Sequence, residues 1–194
     1  MSKTYLGTPP ILGALAPMIL VTLLCAALAA AQTQNPASGG SSMLSLHTAA
    51  FETGSQIPDR YTCSGADVSP ALTWDGAPQG TQSFALITDD PDAPNGTFTH
   101  WVMFDIPPES KGLAQNVPKT QRLDDGALQG RNDFHRDGYG GPCPPPGKTH
   151  RYYFKLYALD SKLSLDPGAT RQQLEAAMKG HVLAQAELMG TFKR

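Results

Sequence analysis

Two proline-rich segments of the sequence carry polar side chains of the kinds that bind small ligands. The first segment begins at Asp90 and is followed by a histidine, and the second joins a glycine pair to another histidine and a tyrosine. Proline fixes the backbone angle φ, so both segments suit rigid loops better than the interior of a sheet. The candidate ligand-binding residues are Asp90, Asp92, Pro94, His100, Gly140, Gly141, His150 and Tyr152.

These residue types in combination indicate a site for a small anion. Imidazole and phenol groups donate hydrogen bonds, and a glycine pair lets backbone N–H groups approach a ligand closely. The carboxylates of Asp90 and Asp92 would fix the imidazole tautomers and raise their pKa values, or would accept from a ligand hydroxyl or ammonium group. A ligand that carries both a phosphate and an amine would use both kinds of group.

Catalytic and metal-dependent chemistry fits the same residues less well. The chain has no Gly-x-Ser-x-Gly motif, and carboxylates two positions apart in a loop do not reliably converge on one substrate atom. Two Asp and two His side chains can bind zinc or iron, but helical His-x-x-x-His spacing and paired cysteines are both missing. The prolines between positions 142 and 146 prevent the helix that a dinucleotide loop requires. We therefore expect no catalytic residues, no metal and no cofactor.

Each candidate residue also has a purely structural interpretation. Asp beside Pro commonly caps a turn, and His150 or Tyr152 could be a satisfied polar group in the core. Asn95-Gly96-Thr97 matches a glycosylation sequon, although Asn-Gly is also an ordinary turn. The case for a site is that all the candidates lie at the mouths of predicted strands, in two stiffened loops.

Short apolar runs alternate along the chain with clusters of Gly, Pro, Asn and Asp, which is typical of β-strands joined by turns. The two loops are therefore expected to be positioned by strands. Ser83–Thr88 is apolar on both faces, which predicts a central strand covered on both sides. Phe98–Ile106 and Tyr152–Leu159 are also predicted strands. Strict alternation predicts that one face of the first of these two carries Phe98, His100, Val102, Phe104 and Ile106.

The C-terminal end of the chain is predicted to be helical. Thr170 and Gln173 form a capping-box pattern. The residues that follow at helical spacing are Leu174, Met178, His181, Ala184 and Leu188. Gly180 weakens this helix and could divide it in two. Strands followed by a terminal helix indicate an α+β or mostly β fold.

The N-terminus has the features of an export signal. Lys3 is the only charged residue before Glu52, and an apolar run extends from about residue 11 to residue 31. Ala29-Ala30-Ala31 offers a small-residue cleavage site, after which the sequence turns polar. An uncleaved membrane anchor is the alternative, because the run approaches the ~20 residues that span a bilayer.

Three segments follow from this interpretation. Residues 1–31 are predicted to be a signal peptide, residues 32–43 a flexible linker rich in Gln, Ser and Gly, and residues 44–194 the folded domain. The expected location is therefore periplasmic or secreted. The formal net charge of −2 and the lack of any Lys/Arg run argue against nucleic acid as a partner.

Export also determines how the cysteines are interpreted. Cleavage after residue 31 would leave Cys63 and Cys143 in the mature chain. An oxidising compartment favours their pairing, and the disulfide would close a long loop. The alternative is a pair of free thiols whose Cα atoms are too far apart to be bridged. We predict the disulfide.

Taken in order, these motifs resemble the signatures of the phosphatidylethanolamine-binding protein (PEBP) family, and most closely its bacterial YbhB/YbcL branch of Raf-kinase-inhibitor-like proteins. The matching residues are Asp90-Pro91-Asp92-Ala93-Pro94, His100-Trp101-Val102, Gly140-Gly141-Pro142, Pro144-Pro145 and His150-Arg151-Tyr152. The likeness extends from about residue 44 to residue 194. Two such motifs in order are far more specific than either one alone.

The resemblance implies a PEBP-like fold, in which a large antiparallel sheet packs on a smaller one with peripheral helices, here including the C-terminal helix. It also implies a pocket for phosphate, acetate-like anions and phospholipid headgroups. By motif, the residues of that pocket are Asp90, Asp92, His100, Gly141, His150 and Tyr152. Members of the family act mainly by binding, and bacterial members are often dimeric, so a homodimer is one expected assembly.

Two functions are therefore expected from the sequence. The first is an exported binding protein for a small anion or phospholipid headgroup. The alternative is an inhibitor of a protease or another envelope enzyme, which would act through surface loops such as residues 107–135. Pro142, Cys143 and Pro146 depart from the usual glycine-rich loop of the family. An exported protein does not meet a cytoplasmic kinase, so a Raf-type role does not transfer to this chain.

Overall fold

The fold is described by a computed structural model that covers residues 43–194. The predicted signal peptide, and the predicted linker apart from Met43, lie outside the described residues. The strands are β1 (Ser45–His47), β2 (Leu72–Asp75), β3 (Ser83–Asp90), β4 (Phe98–Ile106), β5 (Gly112–Leu113), β6 (Leu128–Gln129), β7 (Thr149–Leu159) and β8 (Val182–Lys193). A short 3-10 helix spans Asp59–Tyr61, and one α-helix, α1, spans Arg171–Ala177.

The strands form two antiparallel sheets, as expected. The larger sheet has the order β6-β4-β3-β7-β8, and the smaller has the order β1-β2-β5. All eight residues of β3 are buried, which confirms the prediction of a central strand with both faces covered. Between the sheets lies the main apolar core, in which the rings of Trp74 and Phe84 are 5.4 Å apart. A second core under α1 covers the opposite face of the larger sheet with side chains such as Ile87 and Leu174.

The faces of β4 differ from the predicted alternation because this strand contains two bulges. Asp105 adopts a left-handed backbone (φ 52°) at the second bulge, so Ile106 turns into the core between the sheets while Val102 lies under α1. At the first bulge, His100 is the extra residue opposite β3, and its ring packs against Tyr152 on the inter-sheet side. The prediction that His100, Val102 and Ile106 share a face is therefore wrong. Bulges commonly re-aim a side chain in this way.

The predicted C-terminal helix is correct only in its first part. Thr170 and Gln173 form the expected capping box, but α1 ends at Ala177. Gly180 then adopts φ +83°, and residues 182–193 form the strand β8, which pairs with β7 along its whole length. Ala184 and Leu188 fit a period of two as well as a helical period. Pairing with the long β7 strand decides between the two patterns, as tertiary context often does.

One glycine of β8 is required by packing. Gly190 lies opposite Tyr152, and an added Cβ would lie 2.5 Å from Ile57 Cγ1 and 2.8 Å from Phe51 Cε2. We expect Gly190→Ala to lower the free energy of unfolding by about 1–3 kcal/mol, because the fully buried Ile57 has no room to move. Urea unfolding measures this change. A variant as stable as the parent, or more stable, would show that the loop carrying Ile57 adjusts freely.

The α-helix and the 3-10 helix do not suit a membrane span. No helix among residues 43–194 is long and apolar enough to cross a bilayer.

Candidate functional site

A cavity of about 440 Å³ opens at the end of the larger sheet where β3 and β4 meet the start of β7. Four of the eight predicted site residues line it: Asp90, Pro94, His100 and His150. The other four, Asp92, Gly140, Gly141 and Tyr152, do not line the cavity but support residues that do. The structure thus brings four of the eight predicted residues to one cavity and places the other four in its surroundings.

His150 is held by a buried hydrogen bond to Asp90. The imidazole Nδ1 lies 2.7 Å from Asp90 Oδ2, and the two side chains are 3% and 4% exposed. The other carboxylate oxygen, Oδ1, accepts the backbone N–H of Asp92 at 2.8 Å. A carboxylate only accepts, so His150 carries its hydrogen on Nδ1. Asp90 thus fixes both the orientation and the tautomer of this ring.

His100 is held by the backbone of the second loop. Its Nδ1 donates to the Gly140 carbonyl at 2.7 Å, and the rings of Phe98, Phe134 and Tyr152 surround the imidazole with centroids 5.2–5.3 Å away. Burial lowers the pKa of His100, although the Gly140 carbonyl and the Asp90 carboxylate act in the opposite sense. Burial thus favours the neutral form of this ring.

The two imidazoles present the same atom to a ligand. Both are anchored through Nδ1, which leaves Nε2 as the ring nitrogen available at the cavity. A neutral imidazole with its hydrogen on Nδ1 accepts at Nε2, whereas an imidazolium donates there. An imidazole anchored in this way can therefore bind an anion oxygen only as an imidazolium, or through a proton that the ligand brings.

Asp92 belongs to the scaffold of the site. Its carboxylate forms a two-point ion pair with Arg151, at 2.6 Å and 2.9 Å, and also accepts the Arg151 backbone N–H at 2.9 Å. The hydrogen bonds from Arg151 lower the pKa of Asp92 to about 2. This pair ties the Asp90–Pro94 loop to the first residues of β7, directly beside His150.

The predicted anion nest at Gly140 and Gly141 does not fit the geometry. The Gly140 N–H donates to the His100 carbonyl at 2.9 Å, and the Gly141 N–H donates to Asp67 Oδ1 at 2.6 Å. Both donors are thus already used within the protein. The glycines are still needed, because an added Cβ would lie 2.5 Å from the Phe134 ring at Gly140 and 2.5 Å from the Tyr61 carbonyl at Gly141.

Tyr152 lies beneath His100. The side chain is fully buried, and its hydroxyl has no hydrogen-bond partner among residues 43–194. Burial raises the pKa of this phenol, and the nearby Asp90 carboxylate adds to the effect.

Sequence reasoning missed three residues of the site region. Asp67 accepts from Gly141 and forms ion pairs with Lys119 and Arg136. Although burial alone would raise the pKa of Asp67, the hydrogen bonds from Lys119 and the Gly141 amide lower it overall. Asp133 and Phe134 line the cavity beside His100. The sequence did offer a signal for the last two residues. In the run Asn132-Asp133-Phe134, a large aromatic residue directly follows a polar turn.

A disulfide joins Cys63 to Cys143, as predicted, with Cα atoms 5.4 Å apart. Cys143 lines the cavity, so the bond fixes one wall of the site to the loop that begins at the 3-10 helix. Two hydrogen bonds support this connection: the Cys63 N–H donates to the Pro142 carbonyl, and the Tyr139 hydroxyl donates to the Tyr61 carbonyl.

Metal binding finds no structural support in this part of the chain. Across residues 43–194, no three His, Cys, Asp or Glu side chains come together as a metal site would require. The two site imidazoles also use Nδ1 internally, as described above.

Comparison with known proteins gives a consistent result. The profile of the family described as "Phosphatidylethanolamine-binding protein" matches residues 47–193. The chain belongs to this family. Among PEBP-family relatives, a "UPF0098 protein" of Methanothermobacter thermautotrophicus is 54% identical over 151 residues, which cover 78% of this chain and 99% of the relative.

Two crystal structures extend the likeness to three dimensions. A PEBP homologue from Chlamydia trachomatis has a TM-score of 0.73 and 40% identity over 79% of this chain and 99% of its own. Escherichia coli YbcL, described as a member of the mammalian PEBP family, has a TM-score of 0.73 and 34% identity over 78% and 98%. The expected fold and family, including the likeness to YbcL, are thus confirmed.

Proposed function

We propose that this PEBP-family protein is an exported binding protein whose cavity holds a small phosphate-type anion or a phospholipid headgroup, without catalysis. One observation carries the proposal: two buried imidazoles, each anchored through Nδ1, line the same 440 Å³ cavity. Cavities of this size bury ligands of several non-hydrogen atoms. The fully buried Tyr152 ring packs edge to face against His100 and supports that imidazole.

The charges around the cavity define which anion it takes. Its lining, as far as residues 43–194 show, contains Asp90 and Asp133 but no Lys or Arg. A fully ionised anion would meet carboxylates there before it met a permanent cation. The site therefore favours an anion whose charge is offset by a proton on the imidazoles or on itself, or by an ammonium group of its own.

This reasoning predicts a pH dependence of anion binding. Sulfate stays a dianion across the neutral range, so it binds well only when the imidazoles are protonated. We expect its affinity to fall as pH rises from the pKa of His100 in the empty protein, which burial lowers, to the higher pKa in the complex. The slope approaches about tenfold per pH unit for each proton taken up.

Calorimetric titration of sulfate at several pH values, in buffers of different ionisation enthalpy, measures both the affinity and the protons taken up. Phosphate, which carries its own proton near neutral pH, should show a weaker dependence in the same range. A sulfate affinity that stays constant with pH would mean that neither imidazole donates to the anion.

The proposed location is the periplasm or the exterior of the cell, because the N-terminal 31 residues have the features of a signal peptide. The Cys63–Cys143 disulfide supports this location, since such bonds persist mainly in oxidising compartments. A homodimer, expected from the resemblance alone, stays a prediction.

The alternative role as a protease inhibitor receives no specific support from the loop proposed for it. Within residues 107–135, the Gln129 side chain donates to the carbonyls of Pro118 and Thr120, and Lys119 is bound to Asp67. These contacts fix residues 118–120 within the segment and tie Lys119 to the rest of the domain. We therefore do not extend the proposed function to inhibition.

A further inference from the structure

We propose that Asn95, at the rim of the cavity, is a site of spontaneous deamidation and that the carboxylate formed there weakens anion binding. Asn95-Gly96 is the one Asn-Gly pair of the sequence. The co-reactant of this covalent modification is water. The modification follows from the local chemistry of the chain, whereas its effect on binding rests on the proposed function.

The reaction begins when the backbone nitrogen of Gly96 attacks the side-chain carbonyl carbon of Asn95, Cγ. A bond forms between these two atoms, the bond from Cγ to Nδ2 breaks, and ammonia leaves with the proton of the Gly96 N–H. Water then opens the resulting cyclic imide at either of its carbonyls, which gives aspartate or isoaspartate at position 95. The net change consumes water, releases ammonia and replaces an amide by a carboxylate, so neither an oxidant nor a reductant is needed.

The fold leaves this pair of residues open to the reaction. Asn95, Gly96 and Thr97 are all exposed. A Cβ built on Gly96 would meet nothing within 4 Å beyond its chain neighbours, so there is room for the cyclic imide. The Gly96 N–H donates to the Ala93 carbonyl at 3.2 Å, at the long limit for such a bond. An exposed turn closed by a long hydrogen bond opens easily, and opening frees the nitrogen that attacks.

Two other asparagines of the described chain lack this combination of features. Asn132 is 2% exposed, and its amide group forms hydrogen bonds to the backbone at both ends, at 2.8 Å and 3.0 Å. Asn116 is exposed, but it precedes the buried, β-branched Val117, whose N–H donates to Ser69 Oγ at 3.0 Å. We therefore expect Asn95 to react before either of them.

A carboxylate at position 95 would add to the negative charge of the cavity. Asn95 lines the cavity together with Asp90 and Asp133, and no Lys or Arg of the described chain lines it. A third carboxylate repels a ligand with net negative charge. We expect phosphate affinity to fall about two- to fivefold, as one exposed charge provides. The isoaspartate product also adds a methylene group to the backbone beside Pro94, another residue of the lining.

Peptide mapping by mass spectrometry, after incubation of the full chain at neutral and at alkaline pH, tests the modification. Asn95 should convert to a mixture of aspartate and isoaspartate while Asn116 and Asn132 stay intact. Conversion should be faster at alkaline pH, because the attacking nitrogen must lose its proton. Asn95→Gln should stay unmodified over the same time, since glutamine closes a larger ring more slowly. An Asn95 that outlasts Asn116, or that persists in the folded protein while the same segment reacts as a free peptide, would overturn the proposal.

Calorimetric titration of phosphate tests the consequence for binding. Asn95→Asp supplies the carboxylate without lengthening the backbone, so it should bind phosphate about two- to fivefold more weakly than the parent protein. High salt should reduce this difference. Asn116→Asp is the matched control, because this residue is exposed but does not line the cavity, and it should bind phosphate as the parent does.

The outcomes separate the modification from the proposed function. Equal phosphate affinity of Asn95→Asp and the parent protein would overturn the effect on binding, and so would an equal loss of affinity in Asn116→Asp. Failure of the freshly prepared parent protein to bind phosphate would instead overturn the proposed function. Peptide mapping would still decide whether Asn95 deamidates.

Discussion

Replacing Cys63 and Cys143 together with serine is expected to lower the free energy of unfolding by about 4 kcal/mol. The disulfide joins residues 80 positions apart, and in the chain-entropy model a loop of that length gives a stabilisation of this size. For a domain of this size, the loss corresponds to a decrease in Tm of about 8–16 °C. Urea and thermal unfolding of the parent and the double-serine variant measure the change.

The same variant tests whether the disulfide also shapes the site. Because Cys143 lines the cavity, freeing this wall should weaken phosphate binding even at temperatures where the variant stays folded. Parent protein treated with a thiol reductant should behave like the variant. Two titratable thiols per chain in unfolded, unreduced protein would show that the bond does not form, and the stability prediction would then have no basis.

Replacing His150 with alanine is expected to weaken phosphate binding ten- to a hundredfold. A hydrogen bond to a charged group contributes about 1.5–3 kcal/mol, and each 1.4 kcal/mol is a factor of ten in affinity. The variant also leaves the buried Asp90 carboxylate without its partner, which adds repulsion toward an anion. Calorimetric titration of phosphate into the parent and the variant gives the ratio directly.

A second histidine–aspartate pair provides a matched control. His181 Nδ1 lies 2.8 Å from Asp160 Oδ1, but this pair is about half exposed and does not line the cavity. His181→Ala should leave phosphate affinity unchanged. Asp90→Asn should weaken binding, because its carboxylate fixes the ring of His150. Stronger binding in Asp90→Asn would mean that repulsion by this carboxylate outweighs its orienting role.

The meeting of three predicted residues at the candidate site could be predicted from the sequence because it depends on local features. Proline-stiffened loops and strong apolar strands placed Asp90, His100 and His150 at the mouths of β3, β4 and β7, and the structure brings them to one cavity. The roles of Gly140 and Gly141 were not predictable in the same way. Their N–H groups are taken by acceptors 40 and 74 positions away, which no local pattern reveals.

Two other differences have the same physical origin. His100 faces the inter-sheet side only because a bulge interrupts the alternation of β4, and a bulge is set by pairing with β3 rather than by the residues alone. Residues 182–193 contain an apolar spacing that fits both a helix and a strand, and the unpaired side of β7 selects the strand. Where the spacing of apolar residues fits two structures, pairing with a distant strand thus determines which one forms.

The most direct test of the central claim is a ¹⁵N NMR titration of the histidine rings with phosphate. In the empty protein near pH 7, we expect His100 to be neutral, with its hydrogen on Nδ1. Phosphate should shift the Nε2 signals of His100 and His150 together, with the same dissociation constant as calorimetry, and leave His47 and His181 unchanged. Phosphate that binds without shifting either site imidazole, or that fails to bind, would contradict an anion site at these residues.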